Sequence, residues 1–141
     1  MREVFPYHTL PKYPHMKPAD VLIWERFIEK FPDAYNACQY DFEVGDPPPF
    51  NPLMDDGEDL NQDLLYRLKI DVVGHSNKGV DIIELKPKAG PSSIGQVKGY
   101  RALYLRDEAP HGETSAVIIT DTLMPNMEYM AKVEGVKIVV I

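Results

Sequence analysis

Thirteen prolines in 141 residues decide where regular structure can form, because each one fixes φ and removes a backbone donor. Pro6, Pro11, Pro14 and Pro18 make residues 1–17 an extended arm, and Pro18 itself suits the first turn of a helix. Pro47, Pro48, Pro49 and Pro52, followed by Asp55-Asp56-Gly57-Glu58-Asp59, mark a proline-rich acidic loop over residues 45–62. That loop interrupts one domain and need not separate two. Residues 1–141 read as a single domain, since a chain of this length can bury roughly 70% of its unfolded surface in one core. No internal repeat is present at any solenoid period.

Between the proline clusters the periodicities are clear. Val21, Trp24, Phe27, Ile28 and Phe31 recur at helical spacing, so the first helix is expected from Pro18 to Phe31, ended by Pro32. Tyr35 to Val44 alternates with Cys38, Tyr40, Phe42 and Val44 on one side, as a strand does. Leu64 to Val73 reads as a second strand, with Tyr66, Leu68, Ile70 and Val72 on one face and Asp71 on the other. A turn through Gly74-His75-Ser76-Asn77 leads to a third strand, Gly79 to Lys86, which Pro87 and Gly90-Pro91 end. Ser92 or Ser93 can cap a helix running to about Arg106. Ala116 to Thr120, a helix from Pro125 to about Val133 and a last strand from Val136 to Ile141 complete the chain. The order α-β-β-β-α-β-α-β predicts an α/β fold with a mixed central sheet flanked by helices.

Composition removes several function classes. One cysteine, Cys38, excludes an internal disulfide and cysteine-rich metal sites, and on the apolar face of its strand it reads as a small core residue. No stretch approaches the ~20 apolar residues of a membrane span, and the N-terminus lacks the apolar core of a signal peptide. The expectation is a soluble cytoplasmic protein with no membrane partner, compatible with a phage or mobile-element origin. The net charge of −7 argues against indiscriminate binding of nucleic acid. Its distribution says more: from Arg67 to Arg106 eight basic residues face three acids, so that segment is +5 and the remainder −12. A basic strip on an acidic body can attract phosphate over about a Debye length.

The chemistry-bearing pattern is Asp71 on one strand and Glu84-Leu85-Lys86 on the next. Alternation puts Glu84 and Lys86 on one face, and a hairpin closing near Gly74–Gly79 can bring Asp71 beside Glu84. Two carboxylates, a backbone carbonyl and waters form an all-oxygen site of the kind that holds Mg²⁺ or Mn²⁺. Lys86 could orient a water or stabilise charge on phosphorus. The competing reading is an ordinary cross-strand ion pair. On the following helix Gln96 and Tyr100 share a face at i and i+4, flanked by Lys98 and Arg101. Tyr100 could equally pack in the core beside Ile94, Val97 and Tyr104. His75 reads as a solvated turn residue, and Lys88 as an exposed lysine able to reach a phosphate.

Asp71, Glu84-Leu85-Lys86 and Gln96-Val97-Lys98-Gly99-Tyr100 together resemble the PD-(D/E)XK nuclease superfamily, whose restriction-endonuclease-like core runs α-β-β-β-α-β. The likeness is greatest to the RecB-like branch with its Q-x-x-x-Y helix motif, and it covers roughly Pro18 to Thr120. Ile70 stands where the motif has proline, and no histidine matches the one some members carry upstream. The resemblance implies a Mg²⁺-dependent deoxyribonuclease, with Mn²⁺ able to substitute, yielding 5′-phosphate and 3′-hydroxyl ends by endonuclease or exonuclease action. Asp71 and Glu84 would be metal ligands, Lys86 the catalytic lysine, and Gln96 and Tyr100 the helix motif. Glu25 is the candidate for the acid that members carry on the first helix, and Lys88, Lys98 and Arg101 are candidates for contacts to DNA. Small members work as homodimers or within larger nucleic-acid-processing complexes. Two other classes compete: a nuclease-fold binding or accessory module without catalysis, and an acidic inhibitor of a basic partner. The complete Asp71, Glu84 and Lys86 set favours the enzyme.

Overall fold

A computed structural model describes residues 2–47 and 68–141. The expected loop beyond residue 47, and the Leu64–Arg67 start of the second strand, lie outside the described residues. The elements are β1 (Phe5–Pro6), α1 (Pro18–Lys30), β2 (Ala37–Val44), β3 (Leu68–Ser76), β4 (Gly79–Ala89), α2 (Pro91–Glu108), β5 (Glu113–Leu123), α3 (Met127–Glu134) and β6 (Lys137–Val140). Among the described residues they form one six-stranded sheet in sequence order. Pairings from β1 through β4 are antiparallel, and β4, β5 and β6 are parallel, as their helical connections require. The α/β class with a mixed sheet is as the sequence predicts; the two-residue β1 lies in the arm. No helix among the described residues is long and apolar enough to cross a membrane.

Helices cover both faces. On one, α1 packs Ile23, Trp24, Phe27 and Ile28 against Tyr40, Val72, Ile83, Leu85, Val117 and Ile119. Trp24 Nε1 donates to the Tyr40 hydroxyl at 3.0 Å, which satisfies both buried polar atoms. On the other, α2 and α3 bring Ile94, Val97, Tyr104, Met127 and Ala131 against Phe42, Val73, Ile82 and Ile118. Cys38 is fully buried, as expected, and burial pushes its thiol up to about 12.

Several local expectations change. Phe31 is exposed at the end of α1, and Ile23 takes its place in the core. The turn after β3 is tighter than the sequence suggests: Ser76 pairs with Gly79, leaving Asn77 and Lys78 as the tip. His75 is therefore a half-buried strand residue whose Nε2 lies 2.7 Å from Gln39 Oε1. Gly79 has a φ of +147°, and a Cβ there would lie 2.0 Å from the Glu113 carbonyl oxygen, so only glycine fits. Neither serine caps α2. Gly90 is the N-cap and Pro91 opens the helix, while the Ser93 hydroxyl donates back to the Gly90 carbonyl. Nor does Pro87 end β4, which runs on to Ala89. The β3 pairing stops at Ile83, so on that side Pro87 has no ladder bond to lose.

The largest departure concerns alternation in β2 and β3. Cys38 and Tyr40 face α1, whereas Phe42 and Val44 face α2, with the Phe42 and Tyr104 rings 5.6 Å apart. Likewise Val72 faces α1 and Ile70 faces α2. All these side chains are buried, but each expected single face is split between the two cores. The switch falls at Asp41, whose φ of +50° is left-handed, and at Asp71 across from it. A non-glycine residue in that region re-aims the strand much as a bulge does.

Candidate active site

The switch in β2 and β3 opens the sheet where the predicted acids stand. From Ser76 back to Val72, β3 is paired with β4, ending at Val72 opposite Ile83. The next residues in that register are Asp71 and Glu84. Here the backbone ladder gives way to a side chain: Asp71 Oδ2 accepts from the Leu85 N–H at 2.9 Å. Asp71 thus replaces the acceptor that the departing strand no longer offers. Glu84 continues the face of Val80 and Ile82, toward α2, and is only 2% exposed. Its Oε1 is buried without a hydrogen-bond partner. Lys86, two residues on, places Nζ 3.9 Å from Glu84 Oε2 while remaining partly open to solvent.

Electrostatics reflect this crowding. Burial first, then the negative charge of Asp71, push the Glu84 carboxyl up to about 8, with Lys86 acting against them. Burial also raises Asp71, to about 6, opposed by the Leu85 N–H and Lys86 and reinforced by Asp20 and Asp41. Two desolvated carboxylates facing each other hold a proton more readily than either would alone.

On α2, Gln96 Nε2 donates to the Tyr100 hydroxyl at 2.9 Å, as the i, i+4 spacing allows. Tyr100 packs in the core with Val97 and Tyr104, yet its hydroxyl feels the charges of Glu84 and Asp71, which help burial to raise its pKa. Both readings of Tyr100 therefore describe the same residue: its ring is core, and its hydroxyl borders the acids.

Asp71, Glu84, Lys86, Gln96 and Tyr100 come together; Glu25 does not join them. Its Oε2 accepts from the Tyr13 hydroxyl at 3.1 Å. The α1 acid whose charge reaches both Asp71 and Glu84 is Asp20, in the first turn. The sequence signal for it is its place beside Pro18, where the arm enters the helix. Lys88 is exposed near the end of β4. Lys98 and Arg101 are engaged elsewhere: Lys98 pairs with Glu134 of α3, and Arg101 Nε donates to the Thr114 carbonyl at 2.6 Å. Both line a cleft of about 640 Å³ between α2, α3 and the start of β5. Thr114 lies four residues along β5 from Ile118, the partner of Glu84.

The donor set fits a hard divalent cation. It offers two carboxylates, one with an orphaned buried oxygen, on adjacent strands. No group of three or more His, Cys, Asp or Glu side chains is arranged to hold a metal among the described residues. Mg²⁺ does not need one, because it keeps several waters and commonly takes one or two carboxylates plus substrate phosphate.

No family model matches the chain, and no curated protein matches it. Among solved structures it is similar to a repair endonuclease from Pyrococcus abyssi, with a TM-score of 0.50 at 15% identity, over 92% of this chain and 49% of that one. It is also similar to the protein in a structure described as an EndoMS–dsDNA2 complex, with a TM-score of 0.49 at 12% identity, over 94% of this chain and 48% of that one. The chain spans about half the length of these proteins. The first likeness is one of fold: the mixed sheet with helices on both faces is an architecture found in a repair endonuclease.

Proposed function

We propose that this chain is a divalent-metal-dependent deoxyribonuclease of the PD-(D/E)XK type, near the RecB-like branch, that hydrolyses phosphodiester bonds. Asp71 and Glu84 would hold Mg²⁺ or Mn²⁺, with Lys86 as the catalytic lysine. The observation that carries the reading is the buried acid pair at the fork between β3 and β4, with Glu84 Oε1 left without a partner. Buried polar atoms are normally hydrogen-bonded, and a buried carboxylate oxygen without a partner is costly unless a proton or a cation supplies one. DNA as substrate is read from the sequence motifs, and the fold shared with a repair endonuclease supports it.

The chemistry such an ion supplies when bound is polarisation of a phosphoryl oxygen and acidification of water. The chain's own groups do the rest. Lys86 Nζ, close to Glu84 and partly open to solvent, stabilises negative charge building on the phosphoryl oxygens. Asp71 is held by the Leu85 N–H, which fixes one ligand relative to the strand carrying the other. Gln96 orients the Tyr100 hydroxyl at the α2 side of the acids. Attack of water oxygen on phosphorus breaks the bond to the 3′ oxygen, which leaves protonated, giving 5′-phosphate and 3′-hydroxyl ends. Lys88 is placed to meet the backbone further along β4, whereas Lys98 is paired with Glu134 and Arg101 with the Thr114 carbonyl.

The test is incubation with circular single-stranded, linear duplex and branched DNA in Mg²⁺, Mn²⁺ or EDTA. Metal-dependent cleavage that EDTA abolishes, and that Asp71→Asn and Glu84→Gln lose while folded, is the expected result. Cleavage of circles establishes endonuclease action. Binding of DNA without cleavage of any substrate overturns the enzyme reading in favour of an accessory module.

A further inference from the structure

We propose that Asp41 is a positioning residue: its left-handed backbone turns β2 over, carries β3 away from β4, and so aims Asp71 at Leu85 and Glu84. The inference rests on the proposed function only for the metal readout below; its geometric core stands on the sheet itself.

Three observations converge on one level of the sheet. Asp41 has a φ of +50° within β2, in a region that L residues other than Asn and Asp seldom adopt. Tyr40 pairs with Val72 and Phe42 with Ile70, so β2 and β3 keep one register through the switch and turn over as a unit. Tyr40 and Val72 face α1 before it, and Phe42 and Ile70 face α2 after it. The pairing of β3 with β4 also ends there, at Val72 opposite Ile83, and Asp71 Oδ2 takes the Leu85 N–H instead.

The physical sequence follows from alternation. A regular β2 would keep Phe42 on the α1 side, and β3, held to it in register, would continue alongside β4. Leu85 would then find a backbone acceptor, and Asp71 would lose the donor that orients it. Turning the ribbon at Asp41 and Asp71 removes that acceptor and gives the donor to the carboxylate. The Asp41 side chain, 14% exposed, lies 4.0 Å from Lys69 Nζ, so part of its role could reside in charge rather than backbone. Glycine and asparagine separate these, because both accept the left-handed conformation and neither carries the charge.

The experiment compares Asp41→Gly, Asp41→Asn, Asp41→Ala and Asp41→Val in the full chain, reading the Leu85 amide by ¹⁵N-labelled NMR and its hydrogen exchange, and Mn²⁺ affinity by titration. The expected result is a wild-type Leu85 resonance and Mn²⁺ affinity within about threefold for Gly and Asn. Val should move the resonance, speed its exchange at least tenfold and weaken Mn²⁺ at least tenfold, with Ala between. Should Val fail to fold, the comparison of Ala with Gly carries the decision, since both lack the carboxylate and differ in backbone preference. An Ala and Val series indistinguishable from Gly overturns the proposal, and so does a Gly variant as damaged as Val. Failure of the wild type to bind Mn²⁺ or cleave DNA would defeat the proposed function, while the Leu85 amide would still decide the role of Asp41.

Discussion

Replacing Glu84 with glutamine should stabilise the metal-free protein, by an amount that grows with pH. Glu84 is buried opposite Asp71, and its carboxyl is pushed from its ordinary 4.5 up to about 8. In the unfolded chain it titrates at the ordinary value. A carboxyl raised on folding contributes stability that is fully present below the unfolded value and is lost as pH rises through the folded one. Between pH 5 and pH 8 the protein should therefore lose at most about 4 kcal/mol through this group, at 1.36 kcal/mol per unit. Asp71 shares the same charge, so about half of that, ~2 kcal/mol, is the working expectation. Glutamine keeps the shape and an acceptor but cannot ionise. With ~3–4 °C per kcal/mol at this chain length, Glu84→Gln should melt about 7 °C above wild type at pH 8 in EDTA. At pH 5 the gap should shrink to ~1–2 °C, because wild-type Glu84 is then protonated when folded. Emission from Trp24, the one tryptophan and fully buried, follows the unfolding. Adding Mn²⁺ at pH 8 should reverse the order, since the cation stabilises the intact pair by mass action. A melting difference equal at both pH values would refute the argument, because a packing change does not titrate.

Lys86→Ala should lower single-turnover cleavage by roughly 10²–10³-fold, as for loss of one electrostatic stabiliser, with DNA affinity in Ca²⁺ little changed. Unchanged cleavage would remove Lys86 from the mechanism. Gly79→Ala should destabilise the fold by at least about 2–3 kcal/mol in urea, since the methyl meets the Glu113 carbonyl and φ is one that alanine resists. Cys38 should resist alkylation in the native protein and react at once in denaturant, its thiol being buried and raised. Rapid native labelling would mean that the α1 face opens.

The element order was legible because each segment carried its own period between proline breaks. The reversal of faces was not, for a physical reason. Cys38, Tyr40, Phe42 and Val44 alternate without interruption, but both sheet faces are covered by helices, so either face rewards the same apolar side chains. Hydrophobicity cannot report which core a residue enters; the only trace was an acid in each of two facing strands, Asp41 and Asp71. Pro87 misled in a related way. A proline inside a paired strand is disfavoured, yet its β3-side neighbour is already gone. Asp20 escaped notice because helical phase places a side chain around an axis, not along it. Glu25 lies five residues further on, roughly 7.5 Å at 1.5 Å per residue, beyond the end of the helix that meets the acids.

The pairing of Asp71 with Glu84 also bears on whether the site is structural. Like charges directly opposite on neighbouring strands destabilise a sheet, and here one of them is also 2% exposed with an oxygen unsatisfied. The same level carries a left-handed aspartate and an interrupted ladder. Each of these features costs stability. A structural ion pair would distribute opposite charges to satisfy both acids, but Lys86 stands 3.9 Å from Glu84 and stays partly in solvent. The unfavourable terms are thus concentrated where two carboxylates meet one ammonium that stays partly in solvent. Such clustering of unfavourable terms marks a functional-site candidate rather than a structural one, and the proposed function gives these acids a cation as partner.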